Sequence, residues 1–428
     1  MHPSRETVFR RPIAQSMPDN PAAKTKFRPF LALLNKAAAA VNPGATTPAR
    51  AHGVNLRGLD ALRGLLATYV VLGHARWLLW AGHKTWIAQP HPWWEKMIAY
   101  ASSGLRFGHE AVMVFFVLSG FFIHFRAAEM LAEGRIPAMR TRSFFKRRAH
   151  RLLPPYALAL LLTLTLDQIG RVFFPMLYNG ATPDSLINTQ VGSGNFSSMA
   201  TGPALVVLPK SLGVNFGTNG PLWSLAYEVV YYAFYPAWLA ARRAGALAAY
   251  GGGAMFVIVF SFLVKSEFLQ TVLIHYPVWL AGAGLAELLL AHRLPIKSIA
   301  AGPVAFAAFA ALFFHPPIAA TIALYAVGGA ATVAMFALMP APLHASRAFA
   351  GLEALGLRSY TIYVCHFPML ALASAWTFQR LGGRPMHGWL AAGGALATLA
   401  GCCAAFELCE RHFLHARLKE TAAKIPTP

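Results

Sequence analysis

The sequence predicts an all-α protein, a polytopic transmembrane helix bundle of about ten spans of about 20 residues each, with both termini in the cytoplasm. Three observations predict it. The 428 residues are 56% hydrophobic and only 12% charged, whereas soluble domains are about 45–50% apolar and about 25% charged. Apolar runs recur between residues 59 and 413, and the short alternating segments of a membrane β-barrel do not occur. Basic residues cluster in alternate connections, as the orientation rule for cytoplasmic loops requires.

The expected spans are 59–80, 109–128, 152–174, 222–241, 246–265, 271–291, 299–315, 318–339, 358–377 and 388–409. Before the first lie Arg10, Arg11, Lys24, Lys26, Arg28 and other basic residues. The second connection holds Arg135, Arg140, Arg142, Lys146, Arg147, Arg148 and Arg151. Arg242 and Arg243, Arg293 and Lys297, and Arg347 and Arg358 mark later turns on the same side. The intervening loops are sparse, and Lys210 stands alone in the longest. The formal net charge of +21 is therefore read as topology. Nucleic acid is excluded as a partner because no recognised binding module occurs.

Residues 1–55 read as a basic cytoplasmic tail, largely disordered by composition, in which 27–40 is an amphipathic surface segment. Residues 56–415 form the membrane domain and 416–428 a short cytoplasmic tail. No early apolar core marks a cleavable signal. The polar loop 175–220 either covers a site or is a solvated connection. Cys365, Cys402, Cys403 and Cys409 lie in apolar segments without metal-ligand spacing, so they read as packed thiols and no metal is expected.

The first span carries Asp60, Arg63 and His74. Eleven steps of about 100° leave Arg63 and His74 about 20° apart on one face, with His74 roughly 16 Å farther along. Asp60 lies three residues before Arg63 and can pair with it. Imidazole titrates near neutrality and can take and return a proton. The opposing reading is a snorkelling arginine and a hydrogen-bonded core histidine.

In the second span, Ser119 and Gly120 form a small-residue notch suited to helix packing. Arg148 and Arg151 share a helix face, and Pro154-Pro155 closes the basic patch. Guanidinium forks suit phosphate, although orientation and anionic lipid also explain basic residues. In the fourth span, Ser224, Glu228, Tyr231, Tyr232 and Tyr235 share a stripe, and a carboxylate so deep in an apolar segment needs partners. Near the C-terminus stand Ser359, Tyr360, Tyr363 and His366, then Glu407, Glu410 and Arg411, which read as closing ion pairs.

In this order, "LDALRGLLATYVVLGH", "VFFVLSGFFI", "FFKRRAHRLLPPY", "GPLWSLAYEVVYYAFYP" and "LGLRSYTIYVCHFPML" resemble the motifs of the acyltransferase-3 family. Its members are integral-membrane enzymes that O-acylate bacterial surface sugars. The resemblance implies that His74 is catalytic, as general base or as transient carrier of the acyl group, and that Arg148 and Arg151, with Arg63, bind the donor. Glu228 would orient His74 or meet the acceptor hydroxyl, supported by Asp60, Ser224, Tyr232, Tyr360 and His366. It implies acyl-CoA, acetyl-CoA first, as donor substrate, a carbohydrate or glycolipid acceptor, contact with membrane lipid, and a place in the bacterial inner membrane. No esterase-like domain follows, so the bundle or a partner would complete transfer. The alternative from another class is a proton-coupled transporter or flippase using His74 and Glu228.

Overall fold

The computed structural model describes residues 53–292, 298–340 and 346–413. The basic tail (apart from its last three residues), its segment 27–40 and the tail 416–428 lie outside the described residues. Among the described residues there is no strand; Asn195 and Phe216 form an isolated bridge.

The principal helices are α1 (Leu56–Leu79), α2 (Trp93–Ser102), α3 (Gly108–Ala132), α4 (Thr141–Phe173), α5 (Trp223–Ala244) and α6 (Gly252–Leu263). They continue with α7 (Glu267–Leu290), α8 (Ser298–Ala311), α9 (Ile318–Ala337), α10 (Arg347–Leu357), α11 (Ser359–Leu381) and α12 (Trp389–Leu408). Among the described residues, six helical segments are long and apolar enough to cross a membrane: Trp93–Ala132, Thr141–Phe173, Glu267–Leu290, Ile318–Ala337, Ser359–Leu381 and Trp389–Phe413. Leu247–Leu263 and Ser298–Phe314 are apolar but shorter. At 24 and 22 residues, α1 and α5 are long but carry the charged and hydroxylic groups singled out above. The chain is an all-α, multi-pass membrane protein.

The prolines do not end the basic segment. Helix α4 runs unbroken for 33 residues through Pro154 and Pro155. At about 1.5 Å per residue it is about 50 Å long, against about 30 Å of bilayer hydrocarbon. Its basic first third therefore extends the helix beyond the apolar part instead of forming a separate loop.

The long connection 175–222 is folded onto the bundle. Asp167, fully buried on α4, accepts from the Thr218 amide at 2.7 Å and from its hydroxyl at 2.8 Å. The Asn219 amide group donates to Thr163 Oγ1 and to the Val364 carbonyl, both at 3.0 Å. A buried carboxylate needs such donors, and they fix the loop against α4 and α11.

Two glycine crossings set the helix spacing. A β-carbon at Gly120 of α3 would lie 1.9 Å from the Trp279 carbonyl oxygen of α7, and one at Gly282 would lie 1.9 Å from that of Val117. The notch read from the sequence is thus a reciprocal backbone contact. At the start of α1 the same device recurs: a β-carbon at Gly64 would meet the Leu352 carbonyl at 1.9 Å and one at Gly356 the Asp60 carbonyl at 1.8 Å. Small residues permit this approach, and van der Waals contact is what holds helices together where no water is displaced. The buried N-terminus of α1 is capped by Asn55, whose side chain accepts from the Gly58 amide at 2.9 Å and donates to the Met339 carbonyl at 3.0 Å.

Replacing Gly120 by Val should overpack the α3–α7 crossing and destabilise the protein by at least about 1–3 kcal/mol. Gly104→Ala, where an added β-carbon meets nothing within 4 Å, should leave the midpoint unchanged. Thermal unfolding of the two purified proteins in detergent checks the contrast.

Candidate active site

The helices line two open-sided chambers that share Val112 and Tyr363. The first, of about 450 Å³, is walled by α1, α3, α4, α5 and α11. Three guanidinium groups line it, Arg63, Arg148 and Arg151, and so do three carboxylates, Asp60, Glu228 and Glu410. Charges inside a bundle persist where they face one another or a wet cavity. Arg63 Nη1 lies 3.5 Å from Asp60 Oδ1 and its guanidinium stands 5.8 Å from the Phe122 ring centroid. Arg148 stands 5.6 Å from Phe144 and 5.8 Å from Tyr232, the geometry of cation–π attraction.

Glu228 is held by hydroxyls. Ser119 Oγ donates to its Oε1 at 2.7 Å, Tyr232 donates to the same oxygen, and Trp279 Nε1 donates to Ser119 Oγ at 3.2 Å. Ser119 had no acid or base near it in sequence; the α3–α5 contact supplies one. Tyr360 donates to the Leu152 carbonyl at 3.1 Å, tying α11 to α4. Glu410, 2% exposed, accepts from Thr361 at the chamber wall. The closing ion pairs among the described residues are those of Glu407, with Arg358 and Arg411 at 2.7 Å each.

The second chamber, of about 600 Å³, holds His74. It is walled by α1, α3, α11 and the folded loop, which contributes Gln190, Lys210 and Asn215. That loop therefore covers a cavity. His74 Nδ1 lies 2.9 Å from His366 Nε2, the rings stack at 5.1 Å, and Phe367 meets the His74 ring edge-on at 5.0 Å. His366 is fully buried, and its Nδ1 lies 2.8 Å from the Tyr363 carbonyl and 3.1 Å from that of Ile362. Carbonyls only accept, so His366 carries its proton on Nδ1 and presents a lone pair at Nε2. His74 must then donate from Nδ1, which leaves its Nε2 as an unprotonated, basic nitrogen.

The structure thus brings the sequence candidates together in two groups. Arg63, Arg148, Arg151, Asp60, Glu228, Ser224, Tyr232 and Tyr360 line the first chamber. His74 lines the second and is held by His366. Glu228 does not share the His74 chamber, and its hydrogen bonds go to Ser119 and Tyr232. The two chambers have Val112 and Tyr363 in common. Tyr363 is fixed by Ser224 Oγ at 2.6 Å and donates to the Pro221 carbonyl at 3.1 Å. Sequence reading assigned Glu410 to a closing ion pair and not to this chamber, and it missed His109, which lines the second chamber stacked on Trp223 at 5.7 Å. His109 lies just before the apolar motif of α3, and nothing local distinguished it from a helix-end residue.

A family model described as an acyltransferase domain matches residues 56–407. The chain belongs to the acyltransferase-3 family. It is a membrane acyltransferase, and the transporter alternative gives way to that membership. No curated protein and no solved structure matches the chain. In this acyltransferase both chambers and the loop over the second fall within the matched span, except for Glu410, which lies just beyond it.

Ser119 and Tyr232 donate to one oxygen of Glu228, so their removal should not add. Ser119→Ala and Tyr232→Phe, combined, should show a coupling of about 0.5–3 kcal/mol. Unfolding midpoints of both single variants and the double variant in detergent measure it.

Proposed function

We propose that the chain is an O-acyltransferase of the bacterial inner membrane. It moves an acyl group, acetyl in the simplest case, from cytoplasmic acyl-CoA to a hydroxyl of a cell-surface or lipid-linked carbohydrate. The observation that carries this reading is the His74–His366 contact at 2.9 Å on the wall of the second chamber.

The arginine chamber receives the donor. Coenzyme A carries several phosphate charges, and guanidinium forks make charge-assisted, bidentate bonds to them. Arg148 and Arg151 sit on the extension of α4, on the side that the basic-residue pattern assigns to the cytoplasm. The slender pantetheine arm then runs past Tyr363 toward His74. His74 Nε2 takes the proton of the acceptor hydroxyl as its oxygen attacks the thioester carbonyl. The tetrahedral adduct collapses, the C–S bond breaks, and the departing thiolate takes the proton back from the imidazolium. His366, anchored on two carbonyls, fixes the ring and shares the transient positive charge with them.

Replacing His74 by Ala should lower transfer about 10²–10⁴-fold at saturating donor. His366→Phe should lower kcat by a smaller factor with KM for acyl-CoA unmoved. Initial rates of glycan acylation in membranes with labelled acyl-CoA check both, and full turnover by the His74 variant refutes the mechanism. Arg148→Ala and Arg151→Ala should each raise KM for acyl-CoA about tenfold, or about 1.4 kcal/mol. The effect should shrink at high salt.

A further inference from the structure

A third cavity, of about 200 Å³, adjoins the His74 chamber and shares Arg76, Ser102 and Leu105 with it. Its wall is unusual in holding four indoles, Trp80, Trp86, Trp94 and Trp389, beside the charged groups Arg76 and Glu95. Trp80 and Trp86 are 6% and 5% exposed and form the floor, while Trp94 and Trp389, at 42% and 70%, form the open rim. The polar groups are fixed in place. Arg76 donates from Nε to Ser102 Oγ at 3.1 Å and its guanidinium lies 4.9 Å over the Trp80 ring. Glu95 is held between His91 Nδ1 at 2.8 Å and His387 Nδ1 at 3.1 Å. The buried indole nitrogen of Trp86 has no hydrogen-bond partner among the described residues, although such a donor normally finds one.

Resting on the carbohydrate reading above, we propose that this recess is an acceptor subsite that seats one pyranose ring of the glycan next to the unit being acylated. A pyranose has an apolar C–H face and a rim of hydroxyls. Indole faces cover the first, and a guanidinium and a carboxylate bond the second. The volume is below the roughly 300–1,000 Å³ of sites for drug-sized ligands, which suits a single ring. A lipid tail would leave the terminal nitrogens of Arg76, which hydrogen-bond to no described residue, against hydrocarbon. The shared residues let a chain seated on the indoles reach across Arg76 and Ser102 toward His74.

The test uses the full chain in proteoliposomes with acetyl-CoA as donor. The acceptor is envelope polysaccharide of the cells that carry this chain, stripped of its acyl groups by mild alkali. Its lipid-free oligosaccharide fragments serve as a second acceptor. Trp94→Ala, Trp389→Ala and Glu95→Gln should each raise KM for both acceptors at least tenfold, with kcat and KM for acetyl-CoA within twofold of the starting protein. Trp94→Phe and Trp389→Phe should recover most of the affinity, because a ring face remains, and they serve should an alanine variant fail to fold. An acceptor KM that stays unchanged for the lipid-free fragments overturns the subsite and leaves the His74 mechanism standing. If the starting protein turns over acetyl-CoA yet acylates no carbohydrate, the carbohydrate reading fails and the subsite fails with it.

Discussion

A charged side chain at the depth of a lipid bilayer costs roughly 3 kcal/mol by insertion measurements unless protein or water receives it. The bundle is organised around that constraint. Three guanidinium groups and three carboxylates converge on one chamber, so these charges face a shared cavity. The same rule governs the rest of the interior. Glu287 binds Arg242 through both oxygens at 2.7 and 2.8 Å and lies 2.9 Å from the fully buried His124. Arg358, 4% exposed, meets Glu407 at 2.7 Å. Removing one partner from such a pair leaves an uncompensated charge, which makes these networks fixed points of the fold.

The glycine crossings make that convergence possible. Where α3 meets α7 and α1 meets α10, backbone touches backbone. The helices are then close enough for short side chains such as Ser119 and Asp60 to act at a shared cavity. A protein interior packed in this way transmits position faithfully, and the hydrogen bonds of Tyr363 and His366 inherit it. The stacked histidines are a consequence: α1 and α11 are held so that two imidazoles meet nitrogen to nitrogen, with the proton order decided by carbonyls one turn back along α11.

Much of the architecture was legible in the chain. Composition and apolar runs marked the helices, and the long apolar elements lie close to the expected spans. Where the reading departed, at Pro154-Pro155, local rules of helix termination met a helix longer than the membrane, and tertiary contacts carried α4 through. In the site, the eleven-residue interval between Arg63 and His74 placed both on α1 at different depths. It could not say that the two would line different chambers, with Tyr363 and Val112 common to both. Glu228 was recognisable as an expensive carboxylate, but its partners Ser119 and Tyr232 come from one distant helix and one near turn. Glu410 looked like half of a terminal ion pair, and folding turned it to the arginine chamber.

What the sequence by itself determined is the membrane architecture, the family and the identity of the costly groups. Hydropathy, charge counts and motif order are properties of local composition, and the bilayer reads them directly. Which nitrogen of His74 is left basic, which carboxylates face the arginine chamber, and how the indoles of two distant segments come to line one recess were decided by tertiary structure alone. Those facts depend on residues far apart in the chain, and His74 and His366 alone are separated by 292 positions. Only the closing of helix upon helix, at spacings that glycine permits, brings such pairs within bonding distance.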